Sequence, residues 1–180
     1  METITRNGII IPIGMHYGKN IIIASDHRGY NAKLNLVDHL KKMSCFDCVA
    51  ENKDQFLVSD VGNYSLDRCD FVDYAEQAAL IIGADWLNTV GIAICGSGIG
   101  MATASGKIPR VHPARCLSLE DAMMSRRHNN SNFLCLSATN SLNKDIVSAW
   151  LLTKFYASED DEPYLERFVK LMELEKKYMK

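Results

Sequence analysis

Short, unbroken apolar runs alternate along this chain with longer stretches whose apolar residues recur at helical spacing. Asn20 to Ala24 carries Ile21, Ile22 and Ile23 in succession, as a strand buried on both faces does. Ser25-Asp26-His27-Arg28-Gly29-Tyr30 follows as a polar turn, and Ala32 to Met43 places apolar residues at 34, 36, 37 and 40, an amphipathic helix. The same alternation predicts a strand over Phe56 to Gly62, a helix over Phe71 to Ile82 and a strand over Val90 to Cys95. A helix from Met101 to Lys107, a strand over Ala114 to Leu117 and a helix over Leu119 to Arg127 come next. Phe133 to Ser137 reads as the fifth strand and Lys144 to Tyr156 as the helix after it. A last amphipathic helix begins at Tyr164 and carries Leu165, Phe168, Val169, Met172 and Leu174.

Strands and helices in this order predict βαβ units, hence a doubly wound, Rossmann-like α/β fold. Its five-stranded parallel sheet carries helices on both faces and an extra C-terminal helix. Ligands bind such sheets beyond the carboxyl ends of the strands, where the turns at 25–30, 59–63 and 95–100 fall. Residues 1–19 read as an N-terminal extension and 20–180 as a single domain. The extension holds one short apolar stretch, Gly8 to Met15, broken by Pro12, which is unlike a secretory signal. The last helix exceeds what closing the domain requires, and a helix of that kind often packs on a partner subunit.

At 180 residues the chain suits one domain. A net charge of −2 makes no electrostatic case for nucleic acid or an anionic membrane. Nothing approaches the roughly 18 consecutive apolar residues of a membrane span. Six cysteines are too few for a disulfide scaffold and read as reduced, which suits a cytoplasmic protein. Cys45-x-x-Cys48 lacks the further ligands of a zinc site and follows a helix instead of opening one, so its spacing reads as coincidence.

Candidate chemistry concentrates in Val90-Gly91-Ile92-Ala93-Ile94-Cys95-Gly96-Ser97-Gly98-Ile99-Gly100. A strand runs into a thiol and then into glycines at every second position. Backbone N–H groups without internal partners converge at such a turn, and the helix behind it favours a thiolate. Cys95 is therefore a candidate base or nucleophile; the alternative is a buried structural cysteine in a tight turn. Asp26-His27 and Arg126-Arg127-His128-Asn129-Asn130 are the other polar clusters. Each also has a plain reading: a cap, a satisfied turn histidine, a basic helix end. Together they hold what moving a proton beside a carbonyl requires: a base, a backbone oxyanion site and an imidazole.

These segments, taken with Asp60-Val61-Gly62, Asp70 to Ala75 and Ser125-Arg126-Arg127-His128-Asn129, resemble the type B ribose-5-phosphate isomerases and the related galactose-6-phosphate isomerases. The resemblance spans roughly residues 20 to 180. It implies interconversion of ribose 5-phosphate and ribulose 5-phosphate in the pentose phosphate pathway, with no metal or other cofactor. It also implies a homodimer or dimer of dimers with active sites at the subunit interface. In this resemblance Cys95 is the base, since the glutamate that some members use falls at Met101. Ser97 and the backbone of Gly96, Gly98, Ile99 and Gly100 hold the enediolate, and His128 assists ring opening. Asp26 and Asn129 take sugar hydroxyls, His27 and Arg167 the phosphate, and Asp70 joins the substrate-binding set. Three positions depart from the family pattern. Thr139 stands where an arginine is usual, Glu162-Pro163-Tyr164 replaces an Arg-His pair, and Phe71 replaces a tyrosine. Arg28, Arg110 and Arg115 are the arginines available to compensate. A tetrose or hexose phosphate as substrate, and a non-catalytic sugar-binding relative, are the alternative readings.

Overall fold

A computed structural model describes residues 2–15, 20–46 and 57–179. Five parallel strands form the central sheet: β3 (Asn20–Ser25), β4 (Val58–Asp60), β5 (Thr89–Cys95), β6 (Pro113–Arg115) and β7 (Phe133–Ser137), in the order β4-β3-β5-β7-β6. The doubly wound architecture is the expected one. Every residue of β5 and of β7 is buried, as central strands covered on both faces must be.

Side chains alternate between the two faces. Ile21, Ile23, Val90, Ile92, Ile94, Leu134 and Leu136 meet α1 (Tyr30–Phe46), α4 (Leu119–Asn129) and α5 (Asn143–Leu152). Ile22, Ala24, Ala93, Cys95, Phe133 and Cys135 meet α2 (Phe71–Ala84) and α3 (Ile99–Ser105). Cys95 thus faces the α2–α3 side. α3 opens two residues earlier than expected, at Ile99, because the chain turns at Gly98, whose φ of +77° glycine adopts without strain. β4 and β6 are shorter than their apolar runs suggested, three residues each. Phe56 and Cys48 lie outside the described residues, and with Cys48 the Cys45–Cys48 pair.

The N-terminal residues form an antiparallel hairpin, β1 (Thr3–Arg6) and β2 (Ile9–Pro12), with Asn7 and Gly8 at positive φ in the two-residue turn. Ile11 of this hairpin is buried with Phe155, Leu165, Phe168, Val169 and Met172, making a third core beneath α6 (Glu162–Tyr178). Leu165, Phe168, Val169 and Met172 of the last helix, read from sequence as surplus for a partner, are therefore covered by the hairpin and Phe155, while Leu174 stays exposed. Phe155 leaves its expected helix to bridge Gly14 through a pair of backbone hydrogen bonds, 2.9 and 3.1 Å. Arg126, fully buried, donates to Gly14 O at 3.1 Å and to Asn130 Oδ1 and Ser131 O, while Asn130 Nδ2 donates to Pro12 O. Burial lowers the Arg126 pKa to about 9, so the group stays charged at neutral pH. No helix among the described residues is long and apolar enough to cross a membrane.

Candidate active site

The turns after β3 and β5 lie side by side at the carboxyl edge of the sheet. Asp26 N–H donates to Ile94 O at 3.1 Å, and a Cβ on Gly29 would stand 2.3 Å from that same oxygen. Only glycine lets the first turn settle so closely on β5. Asp26 is buried, and its Oδ1 accepts the Gly29 N–H at 2.8 Å, closing a turn; α1 begins only at Tyr30, so Asp26 is not its N-cap. His27 is half-buried, with Nδ1 3.2 Å from Cys69 O, a contact made with the loop ahead of α2. Next in the chain, Asp70 caps α2 by accepting the Val72 N–H.

Cys95 ends β5 with 5% of its surface exposed, and the Gly98 N–H donates to its Sγ at 3.1 Å. A Cβ on Gly98 would press on Leu136 O at 3.1 Å, so β7 walls the loop from behind. Ser97 is exposed and its Oγ accepts the Ile99 N–H at 3.3 Å. Ser137 Oγ donates to Gly96 O and lies 3.1 Å from Thr139 Oγ1. The threonine at the departed arginine position therefore belongs to the loop's scaffold. Two other arginines flank the same loop. Arg115 Nε donates to Ser97 O at 2.8 Å, and the Arg28 guanidinium lies 3.1 Å from where a Gly96 Cβ would stand. Arg110 is elsewhere, tied through its N–H to Glu175.

His128, Asn129 and Arg167 form a separate group. His128 and Asn129 end α4, and the chain enters β7 at Phe133, beside Gly91 at the start of β5. Cys95 lies four residues further along β5, about 13 Å at the usual rise per residue. α4 packs on the opposite sheet face from Cys95. One chain thus presents Cys95 and Ser97 at one end of the sheet and His128 at the other. The imidazole stacks on the Tyr164 ring of α6, centroids 4.0 Å apart at 17°, and the Arg167 guanidinium lies 5.4 Å from the centre of that ring. Arg127 pairs with the buried Asp161 at 3.1 Å just ahead of α6.

Sequence reasoning missed Lys33 and Tyr164. Lys33 is fully buried and joins Asp60 Oδ1 at 2.6 Å and Asn63 O at 2.5 Å, pinning the loop after β4 to α1. Its place on a polar stretch of an amphipathic helix hides it; the only signal is Asp60 ahead of a glycine at a strand end. Tyr164 was visible only as a departure. Among the described residues no group of three His, Cys, Asp or Glu side chains is arranged to hold a metal ion.

Residues 21–167 match the Ribose/Galactose Isomerase family. A probable ribose-5-phosphate isomerase B of Mycoplasma genitalium is 36% identical over 140 residues, covering 76% of this chain and 85% of that protein. Ribose-5-phosphate isomerase B of Escherichia coli is 32% identical over 136 residues, 74% of this chain and 83% of that protein. The crystal structure of the Mycoplasma genitalium enzyme with bound ribulose-5-phosphate superposes with a TM-score of 0.76 at 34% identity, over 87% of this chain and 96% of that one. The Clostridium thermocellum enzyme gives 0.75 at 33% identity, over 88% and 99%. With its parallel sheet, its thiol-bearing glycine loop and a match spanning most of its length, the chain belongs to the Ribose/Galactose Isomerase family.

Proposed function

We propose that this protein is an aldose–ketose isomerase that interconverts ribose 5-phosphate and ribulose 5-phosphate, working without a metal or other cofactor. The observation that carries this reading is the Cys95 sulfur, fixed over the glycine loop by the Gly98 N–H beside the turn that Asp26 ties to Ile94. In the open-chain aldose, Cys95 as thiolate takes the proton from C2, leaving a cis-enediolate. The same sulfur returns that proton to C1 while the hydroxyl proton passes from O2 to O1, giving the ketose. Backbone donors of Gly96 to Gly100 and the Ser97 hydroxyl hold the enediolate oxygens. At rest the Ile99 N–H is engaged by Ser97 Oγ, so an enediolate displaces that hydroxyl to reach it.

His128 lies too far along the sheet to serve Cys95 of its own chain. The reading is therefore a homodimer in which His128, Asn129 and Arg167 of one chain complete the site holding Cys95, Asp26, His27 and Asp70 of the other. Arg28 and Arg115 supply cationic groups at the glycine loop in place of the arginine replaced by Thr139.

A panel of tetrose, pentose and hexose phosphates, assayed for aldose–ketose interconversion with a chelator present, tests this reading. Turnover with ribose 5-phosphate as the best substrate is expected. Preference for another sugar phosphate redirects the substrate, sensitivity to the chelator removes the metal-free mechanism, and inactivity on every member leaves a sugar-binding relative.

A further inference from the structure

The groups expected to open the sugar ring and to hold its phosphate meet on one aromatic ring that neither role requires. His128 stacks on Tyr164 at 4.0 Å and 17°, and Arg167, three residues on in α6, sets its guanidinium 5.4 Å from the same centroid. An imidazole held near-parallel to a second ring cannot tilt about its outer torsion without breaking the stack, so the plane in which both ring nitrogens lie is set. We propose that Tyr164 is a positioning residue: its ring fixes the plane of the His128 imidazole and holds Arg167 in register with it.

The surroundings support this role. Tyr164 packs against the third core, with Leu165 buried beside it in the sequence, so the ring rests on a rigid base. The start of α6 is tied to α4 by the Arg127–Asp161 pair, which joins the helix carrying Tyr164 to the helix carrying His128. The His128 backbone is fixed from its two sides as well. Arg126 and Asn130, two residues before and two after, bond Gly14 O and Pro12 O of the segment that leaves the hairpin. Main chain and ring plane are therefore set by different elements, which confines a catalytic imidazole to one plane. Misplacement of such a group by about 1 Å typically costs up to a hundredfold in rate.

The inference rests on the ring-opening role proposed for His128, and the tests separate the two. Ribose 5-phosphate is a cyclic substrate, whereas ribulose 5-phosphate is open-chain and its product can leave as the free aldehyde. Tyr164→Leu, which keeps an apolar side chain but no ring, should lower kcat with ribose 5-phosphate roughly tenfold or more. KM should rise with both substrates as Arg167 loses its rest, whereas the loss of kcat with ribulose 5-phosphate should be smaller. Tyr164→Phe, which keeps the ring, should restore turnover. In the wild-type protein the His128 Hε1 resonance should show an upfield ring-current shift that Tyr164→Leu abolishes and Tyr164→Phe retains. The resonance reports the stack even if the leucine variant folds poorly for kinetics.

Normal turnover in Tyr164→Leu overturns the proposal, as does an equal loss in Tyr164→Phe or an unshifted resonance in the wild-type protein. If His128→Asn cripples ribose 5-phosphate turnover while Tyr164→Leu does not, the positioning role alone fails. If His128→Asn is fully active, the ring-opening reading fails and takes the positioning role with it.

Discussion

At the scale of single residues, Cys95 carries the heaviest claim. Cys95→Ser keeps the size of the side chain but replaces the thiol with a far weaker acid. Loss of a well-placed general base typically costs about 10²–10⁴-fold, and kcat should fall by at least that order. Burial raises the Cys116 pKa to about 11 and pushes Cys135 well above the ordinary thiol range, so neither is appreciably ionised at neutral pH. Alkylation followed by peptide mass spectrometry should therefore label Cys95 ahead of both, and saturating sugar phosphate should protect it. Near-normal activity in Cys95→Ser would leave the thiol structural. For Arg28 and Arg115, replacement of either by Gln should raise KM for ribose 5-phosphate about tenfold and leave kcat largely unchanged, the mark of uniform binding. Unchanged KM in both variants would place the phosphate elsewhere. Asp26 and Asp70 show why roles at this scale are only half legible: Asp26 closes a turn and Asp70 caps α2, as their residue type announces, and both do so beside the candidate site. Nothing in α1 itself marks Lys33 as buried, because a lysine on an amphipathic helix ordinarily faces water.

Among the elements, α6 depends most on its charges. Burial raises the carboxyl of Asp161, but hydrogen bonds from Ala157 N–H and Arg127 outweigh it and the net pKa is lowered. Glu175 is lowered likewise: burial opposes ionisation, and His112 with the Arg110 N–H overcomes it. Carboxylates with depressed folded values contribute stability above their unfolded pKa, about 4, and lose it as pH falls through the folded values. The thermal midpoint should accordingly drop as pH falls below about 4, and Asp161→Asn with Glu175→Gln should flatten that drop. An equally steep drop in the double variant would assign acid unfolding to other groups. Most elements were legible because central strands of a parallel sheet are continuous apolar runs and their helices carry one apolar face. The hairpin was not. β1 alternates Thr3-Ile4-Thr5-Arg6 over only four residues, and its partner in the third core lies at the far end of the sequence. Phe155 was read as helical for the same reason, its periodicity continuing that of α5 while its backbone is claimed by Gly14.

For the molecule as a whole, the separation of Cys95 from His128 makes two chains the smallest complete unit of the proposed enzyme. Neither Cys95→Ala nor Arg167→Ala chains alone should turn over, yet a mixed dimer regains one intact site of its two. Random mixing of equal amounts then restores about a quarter of wild-type activity under twofold symmetry. No recovery in dimers shown to be mixed would refute sharing. That separation was within reach of the sequence, since a residue ending the helix before a parallel strand sits at the opposite sheet edge from one ending a strand. The family match starts at residue 21, so the hairpin lies outside it while serving as the floor of α6. During synthesis the hairpin is therefore made long before α6, the helix it packs against. Ile11 waits uncovered until Leu165 and Phe168 have left the ribosome, whereas the sheet from β3 to β7 closes on neighbours already made. Joining ends separated by so long a stretch costs loop entropy that only a formed sheet has already reduced. The third core is thus a clasp fastened after the sheet, and the hairpin's apolar side stays unmatched until α6 arrives.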